Sequence, residues 1–218
     1  DNLVHDVALQ GLKVIFCLDR AGIVGEDGAT HHGVFDLAYC RSVPGIAIAS
    51  PRNELELRNL LYSATCEDYP SIIIRYPRGK GYGTEWKGVD FSKIGMGEAV
   101  KLAGDDSGNY DCAILSIGPL ASRCTEAIAE CGRNVLHYDM RFLKPIDERA
   151  LEKICDSCQR IITVEDGTTI GGLHGAVAEY ITSHRLGNTI TALGVPDSFI
   201  GQGTLEQLHQ ICGHSKSD

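Results

Sequence analysis

Arg20, Asp27 and His31 share one stretch, DRAGIVGEDGATHHG, and Arg78 stands in a second, RYPRG. A guanidinium is a permanent cation whose planar fork of donors matches phosphate oxygens two at a time. A carboxylate and an imidazole four positions apart add an anion and a base that titrates near neutrality. Such a set suits a small phosphorylated substrate undergoing proton transfer. A structural reading competes with it. Each arginine has a surface carboxylate at hand, since Asp19 and Glu26 are available, and His31 also fits as an ordinary residue at a helix start.

These side chains need a frame. The apolar run from Val14 to Leu18 reads as a strand, over 13–18, that stops at Asp19-Arg20, and a helical pattern of Val34, Leu37, Ala38 and Arg41 follows the loop. Thr30 is placed to cap that helix, which puts His31 near its N-terminus. The run at 71–76, apolar through Ile72-Ile73-Ile74, is a second strand and ends just before Arg78. In open α/β sheets ligands bind where loops leave the carboxyl ends of strands. If the two strands are neighbours, both guanidiniums point into one crevice.

The rest of the chain alternates in the same way. A strand at 46–49 and a helix at 53–66 complete the first series, and residues 79–93, rich in Gly and polar types, interrupt the pattern. A second series reads strand 112–117, helix 121–131, strand 134–138, helix 147–155 capped by Asp147, strand 160–164, helix 175–184 and strand 189–193. Such alternation predicts an α/β fold of two parallel or mostly parallel open-sheet domains. The expected boundaries are a first domain at 1–78, a linker at 79–95, a second domain at 96–212 and a disordered tail at 213–218. Residues 1–10 read as a helix, so the chain is expected to begin inside an element, as a truncated product or one segment of something longer.

Composition narrows the function classes. The 218 residues are 43% hydrophobic and 22% charged, ordinary for globular domains. A net charge of −9 with no Lys/Arg cluster argues against a nucleic-acid surface. No apolar run approaches the ~20 residues that span a bilayer. The nine cysteines are scattered in apolar contexts and are expected to be reduced thiols of a cytoplasmic protein. Cys155-Asp156-Ser157-Cys158 is a lone C-x-x-C without the further ligands a zinc site needs. The glycines of 79–83 read as turn geometry, because P-loop spacing is absent. Gly171-Gly172 at a helix start offers backbone N–H groups to an anion.

The segment DRAGIVGEDGATHHGVFDLAY with RYPRG resembles the pyrimidine-binding domain of the 1-deoxy-D-xylulose-5-phosphate synthase family, transketolase-like enzymes that use thiamine diphosphate. DMRFLKPID, TVEDGTTIGGLHGAV and GVPDSFIGQGT resemble that family's C-terminal domain. The resemblance implies decarboxylation of pyruvate and addition of the two-carbon unit to D-glyceraldehyde 3-phosphate. It implies that Arg20 and Arg78 hold the acceptor's phosphate, while Asp27 and His31 contact its hydroxyls and assist proton transfer. His32 stands where relatives often carry Gln, and His174 where they carry a small residue, so neither is favoured as a ligand. Thiamine diphosphate and Mg²⁺ would be held by residues outside this chain, since Gly104-Asp105-Asp106 lacks the family's metal-binding pattern. The resemblance also implies a homodimer through both domains, and leaves open whether a partner chain carries the amino-terminal half. Two alternatives stand beside it, the beta subunit of a 2-oxo-acid dehydrogenase and an inactive dimerisation or scaffold fragment.

Overall fold

A computed structural model describes residues 1–66, 69–81, 83, 86–105, 108–213 and 215. Its elements are strands β1 (Ile15–Leu18), β2 (Ile46–Ala49), β3 (Ser71–Arg75), β4 (Val100–Ala103), β5 (Cys112–Ser116), β6 (Val135–Asp139), β7 (Phe142–Lys144), β8 (Arg160–Thr168) and β9 (Thr189–Val195). Between them lie helices α1 (Asp36–Arg41), α2 (Glu54–Cys66), α3 (Leu120–Cys131), α4 (Glu148–Ser157), α5 (Leu173–Ser183) and α6 (Leu205–Ile211). The strands form two mainly parallel sheets. The first has the order β1-β3-β2-β7, with β7 antiparallel, and the second the order β4-β6-β5-β8-β9, with β4 antiparallel.

Side chains alternate across a strand with a period of two, and here both faces of the first sheet are covered. Ile46, Ile48 and Ile73 point into a core shared with Leu115, Ile117, Leu136, Leu151, Leu173 and Val177 of the second sheet and its helices. Ala47, Ala49, Ile72 and Ile74 point the other way, under Leu60 and Ala64 of α2. This is why β2 and β3 are unbroken apolar runs in the sequence. β7 enters the first sheet from the second half of the chain, and Lys144 Nζ donates to the carbonyls of Arg41 and Val43 at the end of α1.

Several expectations need correction. The helix after Val34 starts at Asp36 and has no side-chain cap, so Thr30 does not cap it and His31 lies in a turn before it. The amino-terminal helix is present but shorter and wider than expected, over Leu3–Ala8 with i→i+5 bonds, and Leu3, Val7 and Ala8 rest partly buried against the main core. β4, β7 and α6 stand where no regular element was expected. Asp147 caps α4 as anticipated, accepting the Ala150 N–H at 3.0 Å. The described part of 79–95 forms no helix or strand but is fastened along α2: Arg58 donates to the carbonyls of Val89 and Asp90, and Ser63 Oγ accepts the Ile94 N–H. Tyr82 of the glycine loop, Asp106, and the tail residues His214 and Lys216 to Asp218 lie outside the described residues.

Candidate acceptor-binding site

β1 and β3 are adjacent and parallel, with Leu18 opposite Arg75, so the loops that leave their carboxyl ends start side by side. Tyr76 N donates to the Leu18 carbonyl at 2.9 Å, and Ala21 N donates to the Tyr76 carbonyl at 3.0 Å. Arg20 is thus next to a residue bonded two positions before Arg78. Arg20 itself sits at φ 61°, in the left-handed region that bulky side chains seldom enter.

The loop then closes on itself. Gly22 and Gly33 exchange both backbone hydrogen bonds, at 2.8 and 2.9 Å, forming a neck from which residues 23–32 project. Neither neck position has room for a side chain. A Cβ on Gly33 would lie 2.2 Å from the Arg20 carbonyl oxygen, and one on Gly22, at φ +72°, would lie 2.7 Å from Asp166 Oδ2. Ile23 and Val34 pack with Val195, Ile200 and Leu208, which fixes the loop against the second domain.

Each candidate side chain is exposed and has a neighbour. Arg20 pairs with Asp19, and Arg78 pairs with Asp27 across the two loops. His31 Nδ1 is 2.9 Å from the Thr30 hydroxyl. The structure therefore joins Asp27 to Arg78, and puts His31 in a turn held by its own N–H to the Gly28 carbonyl at 3.0 Å. His32 is an anchor. Its Nδ1 accepts the Val24 N–H at 3.1 Å, so Nε2 carries the hydrogen and donates to the Gly201 carbonyl at 3.2 Å. The helix start after Gly171-Gly172 has its backbone donors already taken. β8 runs on through Thr168, and the N–H groups of Leu173 and His174 at the start of α5 are taken by the Glu165 carboxylate at 2.8 and 2.9 Å. His174 packs beside Thr163, and burial lowers its pKa.

Beneath the loop lies a group the sequence reading overlooked. Arg75, the last residue of β3, is fully buried. Its Nε donates to Asp36 at 2.7 Å, its Nη1 to Asp166 at 2.5 Å and its Nη2 to the Gly33 carbonyl at 3.0 Å. Burial alone would lower its pKa, but the carboxylates of Asp166 and Asp36 outweigh that and hold it raised. The missed signal was an arginine inside a strand otherwise buried on both faces, where a charge must be paired. Glu165, next to Asp166, is pushed up to about 7 by burial, against the opposing pull of its two backbone donors.

A second buried polar group lies at the ends of β5 and β6. Glu56 accepts from Arg141 Nε at 2.5 Å and from the Arg52 N–H at 2.9 Å, and Ser116 Oγ meets His137 Nε2 at 2.9 Å. Burial, reinforced by Glu56, drives the Asp139 carboxyl well above the carboxylate range. Burial, then the charge of Arg52, lowers His137 to about 4.

Among the described residues no three His, Cys, Asp or Glu side chains come together as a metal-binding group. All nine cysteines are unpaired, Cys155 and Cys158 included, and no helix among the described residues is long and apolar enough to cross a membrane.

Two family descriptions match the chain: transketolase, pyrimidine binding domain, over residues 1–82, and transketolase, C-terminal domain, over residues 103–218. Among curated relatives, the 1-deoxy-D-xylulose-5-phosphate synthase of Bacteroides thetaiotaomicron is 46% identical over 217 residues, covering 98% of this chain and 33% of the relative. That of Phocaeicola vulgatus is 43% identical over 98% of this chain and 34% of its own. The chain thus spans about a third of the length of the curated relatives it matches. Its similarity is to their carboxyl-terminal portion. Among solved structures, a split-gene transketolase described as an inactive beta4 tetramer superposes with a TM-score of 0.84 at 24% identity, over 99% of this chain and 67% of that one. The transketolase of Campylobacter jejuni gives 0.69 at 19% identity, over 97% of this chain and 31% of that one. These two likenesses carry the fold. The chain belongs to the transketolase family.

Proposed function

We propose that this transketolase-family chain is the acceptor-binding part of a 1-deoxy-D-xylulose-5-phosphate synthase. The complete enzyme would join pyruvate, with loss of carbon dioxide, to D-glyceraldehyde 3-phosphate and so feed isoprenoid and thiamine synthesis in the cytoplasm. The supporting observation is the meeting of two arginine-bearing loops at the ends of adjacent parallel strands, tied through Ala21 and Tyr76. Arg20 and Arg78 would exchange their exposed carboxylate partners for the acceptor's phosphate. Asp27, released from Arg78, and His31 would then face the acceptor's hydroxyl and aldehyde oxygens. There an imidazole can hold or deliver a proton as the carbonyl oxygen becomes a hydroxyl.

Thiamine diphosphate supplies the carbanion chemistry in such enzymes. The part proposed here for this chain is at the acceptor, with the main contacts to the cofactor expected from the amino-terminal half. The 218 residues alone are expected not to turn over. Activity would need the family's amino-terminal half as well, with the whole paired as a homodimer. In the complete enzyme Arg78→Ala should raise KM for the phosphorylated aldehyde roughly tenfold to a hundredfold, the loss of one charge-assisted contact. KM for pyruvate should stay within about twofold. Equal effects on both substrates would refute acceptor recognition and favour a 2-oxo-acid dehydrogenase subunit or a scaffold.

A further inference from the structure

Arg75 is fully buried and touches no exposed candidate side chain, yet three segments that frame the loop's neck meet on it. Its guanidinium donates to Asp36 at the start of α1, to Asp166 in β8 and to the Gly33 carbonyl in the neck. The Gly33 carbonyl also accepts the Gly22 N–H, so Arg75 supplies the second of two donors that close the neck. Asp166 works on the same point from the other side, because its Oδ2 stands where a side chain on Gly22 would be. Immediately past the neck, Thr168 N donates to the Val34 carbonyl at 2.8 Å. Arg75 is also three positions before Arg78, and the intervening Tyr76 is bonded to both Leu18 and Ala21. One buried cation therefore sets the neck of the loop that carries Asp27 and His31, and the end of the strand that carries Arg78.

We propose that Arg75, locked between Asp36 and Asp166, is a positioning residue for binding of a phosphorylated acceptor, holding loop 19–33 and the Arg78 turn in one fixed arrangement. The proposal rests on the reading of that loop given above. It adds that the loop's order is set from the second domain, because Asp166 belongs to β8. A lysine could not do the same work. Its ammonium is a single point on a flexible stem, whereas the planar fork serves Asp36, Asp166 and Gly33 in three directions.

Asp166→Asn tests this in the complete enzyme carrying this chain, since it keeps the shape and removes one charge of the lock. Arg75→Lys is the companion variant. If it fails to fold, Asp166→Asn carries the test by itself. Two readouts are needed: hydrogen exchange of peptides from 19–33 and 76–79, and KM for each substrate. Exchange in those peptides should speed up roughly tenfold while β5 and β6 peptides stay unchanged, and KM for the phosphorylated aldehyde should rise roughly tenfold with KM for pyruvate nearly constant, the size of one weakened charge-assisted contact. Unchanged loop exchange, with or without a lower melting temperature, overturns the proposal and leaves Arg75 a structural residue. Faster loop exchange with equal changes in both KM values supports positioning of the loop and refutes acceptor recognition by it.

Discussion

Replacing Glu165 by Gln should make the protein less stable in mild acid and more stable in mild base. Glu165 is almost fully buried, and burial carries its carboxyl from 4.5 up to about 7. Between those two values the folded protein keeps a proton that the unfolded chain releases. The stability this contributes is fully present below pH 4.5 and is lost as pH rises through about 7. The gap is worth about 3 kcal/mol at 1.36 kcal/mol per pH unit. Gln does not titrate, so the variant escapes that loss. It does surrender one of the two bonds at the start of α5, because an amide has one oxygen for the N–H groups of Leu173 and His174. That costs about 1 kcal/mol at any pH. The variant should therefore trail the parent by about 1 kcal/mol near pH 4.5 and lead it by about 2 kcal/mol near pH 8. For a chain of this length the lead corresponds to roughly 4–8 °C in melting temperature. Urea unfolding of both proteins across this range is the assay. His137 and Asp139 titrate in both and cancel from the difference. A difference that is constant with pH, or that turns further against the Glu165→Gln variant as pH rises, would refute the assignment of a raised pKa to this group.

Arg75→Met should cost about 3–5 kcal/mol, since it leaves Asp36 and Asp166 buried without their cation. Calorimetry should show a fall of roughly 6–20 °C, partly restored by adding Asp36→Asn; a fall under a few degrees would mean that water reaches the pair. His31→Ala should lower kcat of the complete enzyme by roughly 10²–10⁴-fold and alter its pH–rate profile. The melting temperature should hardly move, because the ring is exposed; wild-type kcat would remove His31 from the chemistry.

What the sequence made legible follows from how local the determinants are. β2, β3 and β5 were readable because both of their faces are buried, which leaves short apolar runs that stand out from the polar segments around them. β7 has three residues and pairs with a strand some ninety positions earlier, so nothing near Phe142 announces it. The helix after the loop starts late for a similar reason. Gly33 is spent on the neck and the Val34 carbonyl on Thr168, and neither partner is visible from a 3.6-residue period. α2 shows the same limit. Its leucines promised one apolar side, yet Glu56, Asn59 and Ser63 are the buried polar ones, because Arg141 and the segment at 92–94 receive them. Arg75 was hidden by distance as well, with its Asp166 partner 91 positions away.

Burial also divides the arginines of this region into two kinds. The Arg20–Asp19 and Arg78–Asp27 pairs are open to solvent, with arginine side chains 45% and 48% exposed. Exposed pairs of this sort are worth about 0–1 kcal/mol, so they hold the side chains in place without binding them tightly. A phosphate offers each guanidinium a bidentate, more highly charged partner, and on the proposed reading it would displace the carboxylates at little cost. The Arg75 pairs are fully desolvated and cannot be exchanged without leaving a charge stranded. A cation that must release one partner to take another needs water around it, and a cation that must never move needs water kept out. The four-residue run from Arg75 to Arg78 crosses that boundary, passing from the closed end of β3 to the open turn beyond it.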